Sequence, residues 1–178
     1  VSTPYIDMTL ETLERFGVEV MYNEGDYSQF YIEGGQSYKP VDYTIESDWS
    51  AAATIMVAAA IAGEVTIKNI STLSRQADTA ICRALERAGA SLIIEENTIT
   101  VAHRKLEAFE FDATRCPALF PALVAVAAAA DGVSVISGIG RLRGKESDRG
   151  EVLSAEYSKL GIDIELDYDA DQMRVVGG

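Results

Sequence analysis

Apolar residues recur at three- and four-residue spacing between Pro4 and Phe16, at Ile6, Leu10, Leu13 and Phe16. This spacing predicts a helix with Pro4 in its first turn and Gly17 as its stop. Two short runs, Val18 to Tyr22 and Gln29 to Ile32, flank the turn formers Asn23-Glu24-Gly25-Asp26 and read as strands. Gly34 to Pro40 reads as a loop, and a domain boundary is expected between it and Asp48.

Beyond that boundary the pattern occurs twice. The first pass is a strand at Tyr43 to Glu46, a helix at Asp48 to Ala62, a stop at Gly63 and a strand at Val65 to Ile70. A helix at Ala77 to Ala88 and a hairpin of Ser91 to Glu95 with Thr98 to Val101 complete it. The second pass is a strand at Ala108 to Phe111, a helix at Pro117 to Ala130, a stop at Gly132 and a strand at Val133 to Ile136. It closes with a helix at Glu146 to Leu160 and a hairpin of Asp163 to Leu166 with Met173 to Val176. Gly63 answers Gly132, Ile70 answers Ile139 and Gly89 answers Gly161, a period of about 70 residues. The unit is β-α-β-α-β-β. Residues 1 to 33 look like the end of a further copy, so the chain is expected to be a piece of something longer. On this reading residues 1–44 finish one domain and residues 45–178 supply two complete repeats of another.

The first helix of each repeat, Ala51 to Ala62 and Ala118 to Ala130, carries no charge and is apolar around nearly its whole circumference. Such helices are expected to be buried on almost every side. The second helices are amphipathic; Val152, Leu153, Tyr157 and Leu160 mark the apolar face of the last. Together these patterns predict an α/β architecture with helices inside and sheets laid over them.

Composition narrows the class. A hydrophobic content of 48% with 24% charged residues fits a globular domain. A net charge of -13 argues against a nucleic-acid partner. The longest apolar run, Ala118 to Ala130, is short of the roughly 20 residues a membrane helix needs, so no membrane partner is expected. Two cysteines, Cys82 and Cys116, suggest a reducing compartment rather than a disulfide framework, and a cytoplasmic location is expected. Both read as core, as does Trp49. His103, the one histidine, has no metal-ligand partners at useful spacing and reads as surface.

Against the acidic background, Arg141, Arg143, Lys145 and Arg149 crowd into ten residues, although the chain has only 15 Lys plus Arg. Cations are disfavoured at a helix start and an anion is welcome there. The cluster is therefore either a subsite for phosphate or carboxylate, or a solvated stretch whose cations pair with Glu146, Asp148 and Glu151.

KESDR at 145 to 149, following GIGRLRG, resembles the signature of 5-enolpyruvylshikimate-3-phosphate synthase, the shikimate-pathway enolpyruvyl transferase. STPYID at 2 to 7, GGQSY at 34 to 38, ESDWSAAA at 46 to 53 and the string around LFPALVAVAA match in the same order over nearly the whole chain. The resemblance implies the inside-out α/β fold of enolpyruvyl transferases, with two domains of three β-α-β-α-β-β units each. It implies transfer of the enolpyruvyl group of phosphoenolpyruvate to the 5-hydroxyl of shikimate 3-phosphate, with phosphate released and no cofactor or metal. By resemblance Glu146 is the carboxyl group that handles the methylene proton, Lys145 and Arg141 bind shikimate 3-phosphate, and Arg149 binds phosphoenolpyruvate. Ser2 and Tyr5 contact the shikimate phosphate from the other domain.

One position departs from the family. The Asp that accepts the hydroxyl proton is Ala118 here, in Arg115-Cys116-Pro117-Ala118. Asp112 is on the preceding strand. Three readings therefore stand: a fragment of the shikimate-pathway transferase, inactive alone; a non-catalytic anion-binding or structural piece; or a relative of the UDP-N-acetylglucosamine enolpyruvyl transferase of cell-wall synthesis. KESDR and STPYID favour the first. Incomplete repeats would leave apolar faces and strand edges open, so self-association is expected.

Overall fold

The computed structural model describes residues 3–144 and 147–178. Helix α1 (Thr3–Arg15) leads into a two-stranded ribbon, β1 (Met21–Tyr22) and β2 (Phe30–Tyr31). Residues 32–48 carry no regular element, and the first repeat then opens with α2 (Trp49–Ala62), capped by Asp48 and ended at Gly63. Strand β3 (Glu64–Lys68), helix α3 (Ile81–Arg87) and the hairpin β4 (Ser91–Glu95) and β5 (Thr98–Ala102) complete it. The second repeat comprises β6 (Glu110–Asp112), α4 (Phe120–Ala128), β7 (Gly132–Ser137), α5 (Arg149–Ser158), β8 (Ile164–Asp167) and β9 (Gln172–Gly177).

Each repeat forms its own sheet. The first has the order β3-β5-β4 and is wholly antiparallel, with Val65 opposite Val101. The second has the order β6-β7-β9-β8 and contains one parallel pair, β6 with β7. Helices α2 and α4 pack against each other, α2 under the first sheet and α4 under the second. The expected arrangement of inner helices and outer sheets is thus present. Ala53, Met56 and Ala60 of α2 and Leu123, Val124 and Ala127 of α4 are completely buried. The alternating strands present Ile99, Val101, Met173 and Val175 to the same core.

The close approach of helix and sheet is visible at Gly177. A Cβ there would stand 2.2 Å from the Ala127 carbonyl oxygen and 2.3 Å from that of Ala130. The end of β9 therefore runs against the backbone of the α4 C-terminus.

Five expectations need correction. Residues 43–46 form no strand, so the first of the two repeats is not complete. Its Tyr43 ring instead packs on Phe16, with centroids 5.7 Å apart, and lies under the Arg15 guanidinium at 5.6 Å. Those contacts hold the segment against the end of α1 rather than beside β3. Helix α2 is not buried all round, because Ala51, Thr54, Ile55 and Ala58 form an exposed stripe. The helix predicted from Glu146 starts at Arg149, since the Asp148 carboxylate accepts from the Gly150 and Glu151 amides and fixes the cap there. On its expected apolar face Val152 and Leu160 are exposed and only Leu153 and Tyr157 are partly covered. The openings of two further predicted helices, Ala77–Ala80 and Pro117–Leu119, are tighter 3-10 turns.

Trp49, Cys82 and Cys116 are buried as expected, and His103 is exposed, with Nδ1 2.8 Å from the Ala60 carbonyl oxygen.

Candidate functional site

The cationic loop is built on a pinned turn. Gly138 adopts φ +102°, and a Cβ there would lie 2.7 Å from the Thr114 nitrogen, so both conformation and space call for glycine. The 3-10 turn Ile139–Leu142 follows, anchored by the fully buried side chains of Ile139 and Leu142. Gly140 donates its N–H to Asp171 Oδ1 at 2.6 Å, which ties this turn to the β8–β9 hairpin. Arg141 is carried on the turn, and Arg149 is the first residue of α5.

Arg143 is held internally. Its guanidinium carbon lies 3.6 Å from the centroid of the Tyr168 ring, and its Nε is 3.6 Å from Asp148 Oδ2. Tyr168 in turn donates its hydroxyl to Asp148 Oδ1 at 3.2 Å. Burial, followed by the charges of Asp148 and Glu151, raises the Tyr168 phenol above its usual range. Asp148 and Tyr168 thus hold the Arg143 side chain at the start of α5. Lys145 and Glu146, the residues to which the family resemblance gives the central roles, lie outside the described residues, as does Ser2.

A second group gathers at the start of α2. Asp48 accepts from Ser50 N at 2.8 Å and Ala51 N at 3.3 Å. Gln76 staples the same turn to the following segment, accepting from Trp49 N at 2.9 Å and donating to the Ser47 carbonyl at 2.8 Å. Asp78 is completely buried, and the Ser50 hydroxyl donates to its Oδ2. Its Oδ1 has no hydrogen-bond partner among the described residues. Burial raises the Asp78 carboxyl above the ordinary aspartate range, with Asp48 adding to the effect and the Ser50 bond opposing it. Tyr5, in the first turn of α1, faces this carboxyl. Its phenol is raised by burial first and then by the charges of Asp78 and Asp48.

These two groups meet near position 118. The 3-10 turn Pro117–Leu119, which carries Ala118, packs on the turn Ile139–Leu142, which carries Arg141. Cys116, buried just before Ala118, lines one cleft with Pro4, the neighbour of Tyr5. Its thiol is pushed up to about 12, chiefly by burial, and the Asp78 charge adds to the rise. No carboxylate replaces the one missing at Ala118 from the preceding strand: Asp112 accepts from the Thr114 amide at 2.9 Å, and the bonds to Thr114 hold it below its ordinary range. The structure thus associates Tyr5, Ala118 and Arg141, all named from sequence. Asp48 and Ser50 lie in the matched string ESDWSAAA but carry no assigned role there, and Asp78, on a helix read as amphipathic, was not singled out. Among the described residues no group of His, Cys, Asp and Glu could hold a metal ion, and no helix is long and apolar enough to cross a membrane.

Two repeated units with helices inside and sheets outside place the chain among the enolpyruvyl transferase folds. The enolpyruvyl transferase NikO from Streptomyces tendae shares the fold, with a TM-score of 0.62 at 17% identity, over 98% of this chain and 40% of that one. The chain belongs to the EPSP synthase (3-phosphoshikimate 1-carboxyvinyltransferase) family, whose sequence model matches residues 1–177. A Clostridium perfringens (strain SM101 / Type A) 3-phosphoshikimate 1-carboxyvinyltransferase is 40% identical over 164 residues, 92% of this chain and 38% of that protein. The EPSP synthase structure from Acinetobacter baumannii superposes with a TM-score of 0.75 at 29% identity, over 93% of this chain and 39% of that one. The chain therefore spans about two-fifths of the length of the relatives it matches.

Proposed function

We propose that this chain supplies part of the substrate site of a 3-phosphoshikimate 1-carboxyvinyltransferase, the enzyme that moves the enolpyruvyl group of phosphoenolpyruvate to the 5-hydroxyl of shikimate 3-phosphate. The observation that carries the reading is the packing of the Ala118 turn on the Arg141 turn, with Pro4, next to Tyr5, lining a cleft with Cys116. In this reading Lys145 and Arg141 hold the shikimate phosphate, with Ser2 and Tyr5 approaching it from residues 1–44. Arg149, at the positive end of α5, holds phosphoenolpyruvate. Glu146 gives a proton to the methylene carbon as the hydroxyl oxygen adds to the adjacent carbon, and takes one back as phosphate leaves. A base must accept the hydroxyl proton, and Ala118 cannot.

That vacancy favours a second reading for the chain by itself: it binds the anions and turns nothing over. Residues 1–44 and 45–178 are read as parts of two domains whose remaining repeats complete the site. The exposed apolar stripe of α2 supports this, as does the apolar hollow between α1 and the β1–β2 ribbon, lined by Leu10, Leu13, Val20 and Phe30. Those surfaces, together with Ile45 at 84% and Leu73 at 89% exposure, are expected to drive self-association, which sedimentation at rising concentration measures. A cytoplasmic location accompanies the reading and fits two free, buried thiols.

Calorimetric titration with shikimate 3-phosphate at low and moderate salt, beside Lys145→Ala, tests it. Salt-sensitive binding that the substitution removes is expected. Binding that the substitution leaves unchanged, or none at either salt, overturns the claim that this segment holds a working phosphate subsite.

A further inference from the structure

A second concentration of positive charge lies away from the 138–149 loop. Arg75, Arg83, Arg87 and Arg115 line one cleft of about 430 Å³ between α3 and the connection from β6 to α4, with Pro4 at its rim. Four of the chain's 15 basic residues converge there on a protein of net charge -13. Arg83 and Arg87 stand four apart on one helix, a spacing at which like charges repel. Arg75 comes from the segment before that helix and Arg115 from the other repeat. Chain connectivity alone does not force these four together.

Two of the four are held by the protein. Arg75 Nε pairs with Glu11 Oε2 at 3.2 Å. Arg87 donates to the Glu110 carbonyl at 2.8 Å and lies 5.8 Å from the centre of the Phe111 ring. Arg83 and Arg115 form no ion pair among the described residues, in a chain where acids outnumber bases. The one acid lining the cleft, Asp112, accepts from the Thr114 amide and also feels the Arg115 charge, leaving one carboxylate against four guanidinium groups there. Phe111 and Cys116 form the nearly inaccessible floor of the cleft, beneath a mixed polar and apolar wall. The volume falls in the range of small-molecule sites, roughly 300–1,000 Å³, and guanidinium groups match oxyanions in a two-point fork.

We propose that this cleft is a binding site for a small polyanion: a compact oxyanion, phosphate or polycarboxylate, with at least two negative charges. It borders the site of the proposed function through Gln76, Cys116 and Pro4 but contains none of the substrate-binding residues assigned there.

The test is titration of the chain with inorganic pyrophosphate at constant ionic strength, followed by amide chemical shifts, with citrate as the parallel arm. Arg83→Gln and Arg115→Gln are made singly and together; both side chains are exposed, so each single variant keeps the test open if the double variant does not fold. Saturable binding is expected, with shifts centred on 75–87 and 111–116, weakened about tenfold or more in the double variant and several-fold in each single one. Lys145→Ala should leave this binding unchanged while removing that of shikimate 3-phosphate, so the two readings fail separately. Preference for pyrophosphate over citrate assigns a phosphate ligand, and the reverse a polycarboxylate. Absence of saturation by about 10 mM of either anion, equal affinity in the Arg83 and Arg115 variants, or shifts confined to 138–149 overturns the proposal.

Discussion

Asp148 is the residue through which the cationic loop is expected to lose its shape. Substitution by alanine removes the cap of α5, which costs about 1 kcal/mol in typical helices. It also removes the acceptor of the Tyr168 hydroxyl, a partly buried bond to a charged group worth about 1 kcal/mol once its exposure is discounted. The Arg143 ion pair, with side chains 60% and 32% exposed, adds little. The sum is about 2 kcal/mol, which in a chain of this size lowers the melting temperature by about 4–8 °C. Asp48 provides an internal reference, since it caps α2 in the same way without a tyrosine partner. Its loss also relieves repulsion with Asp78, so Asp48→Ala should cost about 1 kcal/mol or less. Thermal melts of the two variants, with Tyr168→Phe and the Asp148→Ala/Tyr168→Phe double variant, give the coupling directly. Equal costs for Asp148→Ala and Asp48→Ala, together with no coupling to Tyr168, would refute the claim that Asp148 and Tyr168 act together at the start of α5.

Gly177→Ala drives a Cβ into two carbonyl oxygens of the α4 terminus and should cost at least about 3 kcal/mol, read as lost soluble yield or a collapsed denaturation midpoint. Because the Asp78 carboxyl titrates higher in the folded than the unfolded chain, the folded state holds its proton across the window just above the ordinary aspartate range. Stability should therefore fall as pH rises through that window, and Asp78→Asn should flatten the fall; parallel pH profiles for the two proteins would count against it. With Cys82 pushed up to about 11 and Cys116 to about 12, and both buried, a disulfide reagent at neutral pH should label neither until the chain is denatured. Grafted in place of the matching segment of an intact family member, the chain should give a poorly active enzyme, and Ala118→Asp should raise its turnover by about a hundredfold or more.

The repeat was legible because its signals are local. Uncharged Ala-rich helices, glycine stops and period-two hairpins each follow from a few consecutive residues, and they recur in the same order. Tyr43 to Glu46 misled because alternation shows that a segment can be a strand but does not name its neighbour, and here Phe16 and Arg15 take the tyrosine ring. The start of α5 was displaced because Lys-Glu-Ser scans as helix until the Asp148 cap is seen to close it. In the candidate site, Arg141, Arg149 and Tyr5 were found through their motifs. Asp78 was not, since its burial depends on Ser50 and Tyr5, 28 and 73 residues away in the chain. The four-arginine cleft was hidden for the same reason, Arg115 being contributed by a different repeat.

The missing strand of the first repeat gives the two sheets different exchange clocks. Strand β7 is interior, between β6 and β9, whereas its counterpart β3 is the outer rail of β3-β5-β4. Amides of Glu64–Lys68 that point away from β5 can trade deuterium through small local excursions, while those of β7 must wait for the sheet to part. Units that share one order of elements should therefore record time differently, and the faster one marks where a further strand would slow it.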